Sequence, residues 1–121
     1  MRTWFLIFAV AASQGFAQAG LRDSDVALTR AELTEILSDQ VLEFYTDGLA
    51  TYWADGRYDY RYEPGGQRVP GHYEINDDST VCTAFLTGFQ RCDYFVRANE
   101  RIVMIIENGE RYPVRQITPI E

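Results

Sequence analysis

Lysine is absent from this chain, and all eleven basic residues are arginine. That absence excludes Schiff-base chemistry and any phosphate loop built on a lysine. Histidine occurs once, at His72, and cysteine twice, at Cys82 and Cys92. One imidazole and two thiols are too few for a zinc site with three or four converging ligands, and no nucleophile–histidine–acid pattern accompanies them. Basic charge is scarce too: eleven arginines stand against 18 acids, for a formal charge of −7. Nucleic acids and anionic membrane surfaces want a basic stripe, so neither is an expected partner. No apolar run reaches the ~20 residues that span a bilayer.

What is present begins with an export pattern. Arg2 is a positive start, Trp4 to Ala12 a short apolar run, and Ala17-Gln18-Ala19 offers small residues for signal peptidase. This predicts a signal peptide over residues 1–19, cut after Ala19, and a periplasmic or secreted protein with no membrane insertion afterwards. No cysteine stands at the cut for lipid attachment. Cleavage leaves 102 of 121 residues, enough for one domain with one core. It also takes the charge to −8, because Arg2 leaves without an acid. Hydrophobic content of 46% and charged content of 24% exclude collagen-like, low-complexity and wholly disordered chains.

The remainder reads as a flexible lead over residues 20–28 and a single helix-plus-β-meander domain over residues 29–121. Thr29 and Glu32 stand at capping-box spacing, with Leu28 and Leu33 as the flanking staple. Leu33, Ile36 and Leu37 then share one face of a helix of two to three turns, too short to stand unpacked. From Gln40 the period becomes strand-like, and turn signals arrive regularly: Asp47-Gly48, Asp55-Gly56, Pro64-Gly65-Gly66, Asn76 to Ser79, Thr87-Gly88, Ala98-Asn99-Glu100 and Asn108-Gly109. Short strands joined by tight turns predict a mainly β fold. The expected form is an antiparallel meander of about eight strands, closed or nearly closed into a small barrel, with the helix packed against it.

Reading the Asp-Gly and Asn-Gly signals as two-residue loops fixes registers. Leu42 then faces Trp53, and Phe44 faces Thr51. In the next hairpin Trp53 faces Tyr58, Thr51 faces Tyr60 and Leu49 faces Tyr62, all on one side by alternation. Tyr52, Arg57, Asp59, Arg61 and Glu63 fall on the other side as a salt-bridged outer face. The last hairpin pairs Ile105 with Tyr112 and Val103 with Val114, leaving Ile102, Met104, Ile106, Pro113 and Arg115 opposite. That strand is apolar on both sides, and the helix is the expected outer cover. Phe44, Trp53, Tyr58, Tyr60 and Tyr73 are expected to fill a packed interior.

Export permits a disulfide. A three-residue loop Leu86-Thr87-Gly88, with Gly88 left-handed, pairs Phe85 with Phe89 and Cys82 with Cys92. The cysteines form a non-hydrogen-bonded pair with Cα atoms ~4.5–5.5 Å apart, within bridging reach. Two free thiols or a redox pair are the alternatives. The spacing is not C-x-x-C, which favours a structural bridge.

Candidate chemistry is thin. His72 and Glu74 alternate outward on one strand, where a proton-transfer pair and a plain exposed histidine look alike; no catalytic residue is assigned. Asn76-Asp77-Asp78-Ser79 lacks the alternating acids, glycine and closing glutamate of a calcium loop and reads as a turn. Gly65-Gly66 precedes no helix and cradles no phosphate. Trp53, Tyr58, Tyr60 and Tyr62 are the candidate ligand-binding residues, as a stacking surface for a small aromatic or sugar-like molecule. The competing account is that they are barrel core, since sheets favour aromatics whatever they do.

Leu33-Thr-Glu-Ile-Leu37, Glu43-Phe-Tyr45, Tyr52-Trp-Ala-Asp-Gly-Arg-Tyr58, Gly71-His-Tyr-Glu-Ile75, Val81-Cys82 and Arg91-Cys-Asp-Tyr94 together resemble a family of small exported proteobacterial β-domains of unknown function. That family has a short helix, a Tyr–Asp-Gly–Tyr hairpin, a Gly-x-aromatic strand and two cysteines flanking a glycine turn. The likeness covers residues 29–116 and implies fold and compartment, without an activity. The architecture is also similar to periplasmic lysozyme inhibitors, small acidic barrels with a disulfide, although their inhibitory motif is absent. The expected function is non-enzymatic binding of a small ligand or a protein partner, a basic one by charge steering, with no cofactor and no metal. An envelope assembly role and a carboxylate-dependent hydrolase are the alternatives; the latter needs two acids converging in a cleft.

Overall fold

The computed structural model describes residues 19–121, so the signal peptide expected over residues 1–19 lies, but for Ala19, outside the described residues. The elements are β1 (Val26–Ala27), α1 (Arg30–Leu37), β2 (Gln40–Phe44), β3 (Leu49–Tyr52), β4 (Arg57–Arg61), β5 (Arg68–Ile75), β6 (Thr80–Phe85), β7 (Gln90–Ala98), β8 (Arg101–Ile105) and β9 (Arg111–Pro119). From β2 to β9 each strand pairs antiparallel with the next, and β9 returns to pair with β2. This closes an eight-stranded meander barrel with no free edge among those strands. β1 is a ninth strand laid along the end of β7, where Val26 faces Arg97 and Ala27 faces Val96.

The helix forms as its cap predicts. The Thr29 hydroxyl accepts from the Glu32 N–H at 3.1 Å, and the Glu32 carboxylate accepts from the Thr29 N–H at 2.9 Å. Its buried face does not cover the outside of β8. Leu28, Leu33 and Leu37 instead join the interior cluster with Leu42, Phe44, Tyr52 and Phe95. Arg30 reaches Asp77 in the β5–β6 turn at 3.4 Å, and the Leu28 N–H donates to the Phe95 carbonyl at 3.1 Å. The helix therefore stoppers the barrel end formed by the β3–β4, β5–β6 and β7–β8 turns. An amphipathic face specifies that the helix must pack; it does not specify on which surface.

The lead takes the position expected of the helix. Val96, Val103 and Ile105 are buried on the outer side of β7 and β8. The Asp25 carboxylate accepts from both terminal nitrogens of Arg111, at 2.7 and 3.1 Å, and Arg111 also donates to the Gly20 carbonyl at 2.9 Å. With β1 these contacts hold residues 20–27 against the sheet, so the lead is not loose. The Arg111 hydrogen bonds outweigh burial and hold the Asp25 carboxyl below its usual 3.8. That tether contributes above about pH 3.8 and is lost as pH falls through the lowered value.

The registers depart from expectation for one physical reason. Five hairpins close with three residues, the third left-handed: Asp47 at φ 74°, Gly56 at 98°, Ser79 at 71°, Gly88 at 98° and Gly109 at 95°. The closing bonds run from Phe44 N–H to the Gly48 carbonyl, Trp53 to Arg57, Asn76 to Thr80, Phe85 to Phe89 and Ile106 to Glu110. Asp-Gly and Asn-Gly suit both a two-residue loop and this longer loop with its bulge, and at Asp55-Gly56 and Asn108-Gly109 the one extra residue turns every side chain over; at β2–β3 the loop is residues 45–47, before Gly48, and the pairing moves by three. Tyr52 thus faces Tyr58, Ala50 faces Tyr60 and Thr51 faces Asp59, while Leu42 faces Ala50. Tyr52 is inside and Trp53 is outside, the reverse of the sequence reading. Likewise Met104 faces Tyr112 and Ile105 faces Arg111. Ile102, Met104 and Ile106 point inward with Tyr112 and Val114.

The expected salt-bridge ladder on β4 is absent as well. The Asp59 carboxylate is covered and binds Arg68 at 2.6 Å, while Arg57 turns to Asp55 at 2.9 Å. Asn76 to Ser79 is a turn, with the Asp78 carboxylate accepting from the Thr80 N–H at 3.2 Å.

The β6–β7 hairpin has the expected register, with Ala84 facing Gln90 and Cys82 facing Cys92. The cysteines are disulfide-bonded, with Cα atoms 3.9 Å apart, closer than the expected 4.5–5.5 Å. The bridge lies outside the barrel and spans ten residues of sequence. Chain entropy then gives it about 2–3 kcal/mol. Urea unfolding of Cys82→Ala/Cys92→Ala should show a loss of that size; an unchanged midpoint would make the bridge irrelevant to stability.

Candidate functional site

The barrel end away from the helix is open. There the β2–β3, β4–β5, β6–β7 and β8–β9 turns surround a cup of about 670 Å³. Phe44, Tyr60, Phe85, Met104 and Ile106 line it, and Tyr62 and Phe89 stand exposed at its rim. The aromatic rings brace one another: Phe85 stacks with Phe89 at 6.0 Å, and Tyr60 meets Tyr62 edge-on at 5.0 Å. Gly48 is what lets the Tyr60 phenol lean across the start of β3, because a Cβ there would stand 2.0 Å from the Tyr60 hydroxyl oxygen.

Arg91 is the charged residue lining the cup. Cys82 and Cys92 face outward, so alternation turns Thr83, Arg91 and Asp93 inward. Arg91 Nε and Nη2 donate to the two oxygens of Asp93, at 2.7 and 3.1 Å. The Arg91 side chain keeps 24% exposure, whereas that of Asp93 keeps 3%. The pair thus runs along β7 with the arginine towards the mouth. Burial pushes the Asp93 carboxyl up, even against the pull of Arg91. Burial alone would weaken the hold of Arg91 on its proton, but Asp93 more than restores it.

Beneath the cup the interior is solid. Tyr52 and Tyr58 are almost wholly buried, with rings 5.0 Å apart, and Tyr58 supports the Phe85 wall at 5.7 Å. Burial raises both phenols far above their ordinary range. Tyr112 donates to Glu110 at 2.9 Å, which raises its own pKa.

The predicted ligand residues therefore separate into three locations. Tyr60 and Tyr62 line the cup. Tyr58 lies below it in the packed core, and Trp53 is outside, with the Arg57 guanidinium 4.8 Å from its ring centre. His72 is exposed on the outer face, opposite Arg57 and Ala84, and Glu74 lies opposite Cys82. Sequence reasoning missed Phe85, Phe89, Met104, Tyr112 and Arg91 as site residues. The signal for Arg91 was present: a cross-strand cystine facing outward puts its neighbour inward. No protein-family model, curated protein or solved structure matches the chain.

Proposed function

We propose that this chain is an exported binding domain that holds a small, largely apolar molecule in the open end of its barrel. The observation that carries this reading is the asymmetry of the two ends. One is stoppered by Leu33 and Leu37, while the other keeps an aromatic cup with Tyr62, Leu86 and Phe89 around it at 73%, 70% and 60% exposure. A volume of about 670 Å³ is in the range of sites that enclose a drug-sized molecule. Apolar surface gathered at one place on a small acidic protein has a partner as its ordinary explanation. The Cys82–Cys92 bridge is compatible with an oxidising, exported location.

Titration with Nile red, a neutral dye that brightens in apolar surroundings, tests the reading. The dye should bind at one site and be displaced by normal alcohols, each added methylene tightening binding by roughly fourfold until the cup is full. Val69→Trp, which sets an indole on the cup lining, should weaken the dye at least tenfold. Undiminished binding by that variant would show that the dye sits elsewhere and would remove the proposal. A second reading is favoured by Leu86, exposed at a turn tip: a protein partner inserting an apolar side chain into the same cup.

A further inference from the structure

We infer that the cup selects a monocarboxylate with an apolar alkyl or aryl body, and that Arg91 receives the carboxylate. This rests on the cup being a ligand site and adds the head group of its ligand. Charge complementarity carries it. The protein is strongly acidic, with 18 acids against eleven arginines, yet no acid lines the cup and one arginine does. A cationic head would meet Arg91 with no carboxylate on the lining to receive it, Asp93 being already bound to the guanidinium, whereas an anionic head would meet a donor.

The guanidinium also has donors to give. Of its five N–H groups, one on Nε and one on Nη2 are committed to Asp93, and Nη1 has no hydrogen-bond partner among the described residues. Arg91 itself lines the cup, so these donors belong to a cup-lining residue. Asp93 acts as a positioning residue: its two hydrogen bonds fix the plane of the guanidinium, so little rotamer freedom is left to lose when a carboxylate arrives. The Phe85 ring, 6.0 Å from the guanidinium carbon, backs it from the wall. Besides this one charged locus the lining has only neutral groups; Phe44, Met104 and Ile106 offer apolar contact, and Met104 adapts readily to alkyl or aryl shapes.

The test is displacement of Nile red by three molecules with the same ten-carbon chain: decanoate, decanol and decyltrimethylammonium. Decanoate should displace the dye at a concentration at least tenfold below decanol, and the ammonium should be the weakest. Adding 2-naphthoate separates the two bodies: stronger displacement than decanoate assigns an aryl acid, weaker an alkyl one, and either supports the carboxylate. In Arg91→Met/Asp93→Leu the decanoate-to-decanol ratio should fall to near one. The comparison on the unaltered protein stands even if that variant does not fold. Equal displacement by decanoate and decanol overturns the arginine clamp while the cup survives; no displacement by any of them overturns both.

Discussion

Replacing Asp93 alone by alanine is expected to destabilise the protein by about 3–5 kcal/mol, while replacing Arg91 and Asp93 together by methionine and leucine should restore most of the loss. The asymmetry follows from where the pair sits. Asp93 keeps 3% exposure inside the barrel, and Arg91 24%. Truncating the acid strands a guanidinium that reaches water only in part, which places the loss towards the lower end of that range. Removing both charges leaves apolar groups of similar volume beside Tyr58 and Phe85, and a buried ion pair seldom outperforms such packing. For a domain of this size the single change should lower Tm by more than ~10 °C.

The pH dependence has a definite sign. Burial raises the folded-state value of Asp93 above its usual 3.8, so its contribution is fully present below that pH and fades as pH rises through the raised value. Arg91→Met removes the attraction that pulls this value down, so it moves further up. That variant should gain stability as pH falls towards 3.8, opposite in sign to the Asp25–Arg111 tether. Urea midpoints measured down to that pH read the effect. A double variant as unstable as Asp93→Ala would show that the pair is needed by the fold itself; recovery of the double variant points to a role in the cup.

How much of this was legible in the sequence can be traced residue by residue. The succession of about eight short strands, the meander order, the helix cap and the cystine hairpin follow from local patterns, and all are present; closure depends on β9 pairing back to β2, which no local pattern fixes. The facing of β3, β8 and β9 does not follow, because Asp55-Gly56 and Asn108-Gly109 serve two loop lengths and neighbouring residues are equally apolar. Nothing in composition prefers Tyr52 over Trp53, or Met104 over Ile105, as the inward member. The β6–β7 hairpin offered the tie-breaker: pairing Cys82 with Cys92 requires a three-residue loop ending in left-handed Gly88. The same loop length at Gly56 and Gly109 gives the observed faces. Tyr60 and Tyr62, singled out because aromatics suggest ligands, line the cup. Arg91 was missed because a charged residue is expected outside, although its parity relative to Cys92 put it within.

Tyr52 and Trp53 provide the sharpest check of that facing, because they are adjacent and both large. Tyr52→Ala should cost about 3–5 kcal/mol, and Trp53→Ala no more than about 1. Tyr52 keeps 1% exposure and meets Tyr58 at 5.0 Å and Tyr73 at 5.1 Å, both edge-on. Its removal opens a void in the middle of the barrel, between the helix and the cup, where surrounding strands cannot collapse. Trp53 lies half-buried on the outer surface, in a shallow groove with Val41, Thr51 and Ile120, and the Arg57 guanidinium stands 4.8 Å from its ring centre. The hydrogen bond from the Tyr73 hydroxyl ends on the Trp53 backbone carbonyl at 2.6 Å, so it persists in the alanine variant. In a preparation of residues 20–121 Trp53 is the sole indole, and acrylamide should quench its fluorescence in the native state. A fully shielded indole, or the reverse order of stabilities, would mean that Asp55-Gly56 is a two-residue loop after all. β3 would then be turned over relative to β4, with Trp53 inside the barrel and Tyr52 outside it.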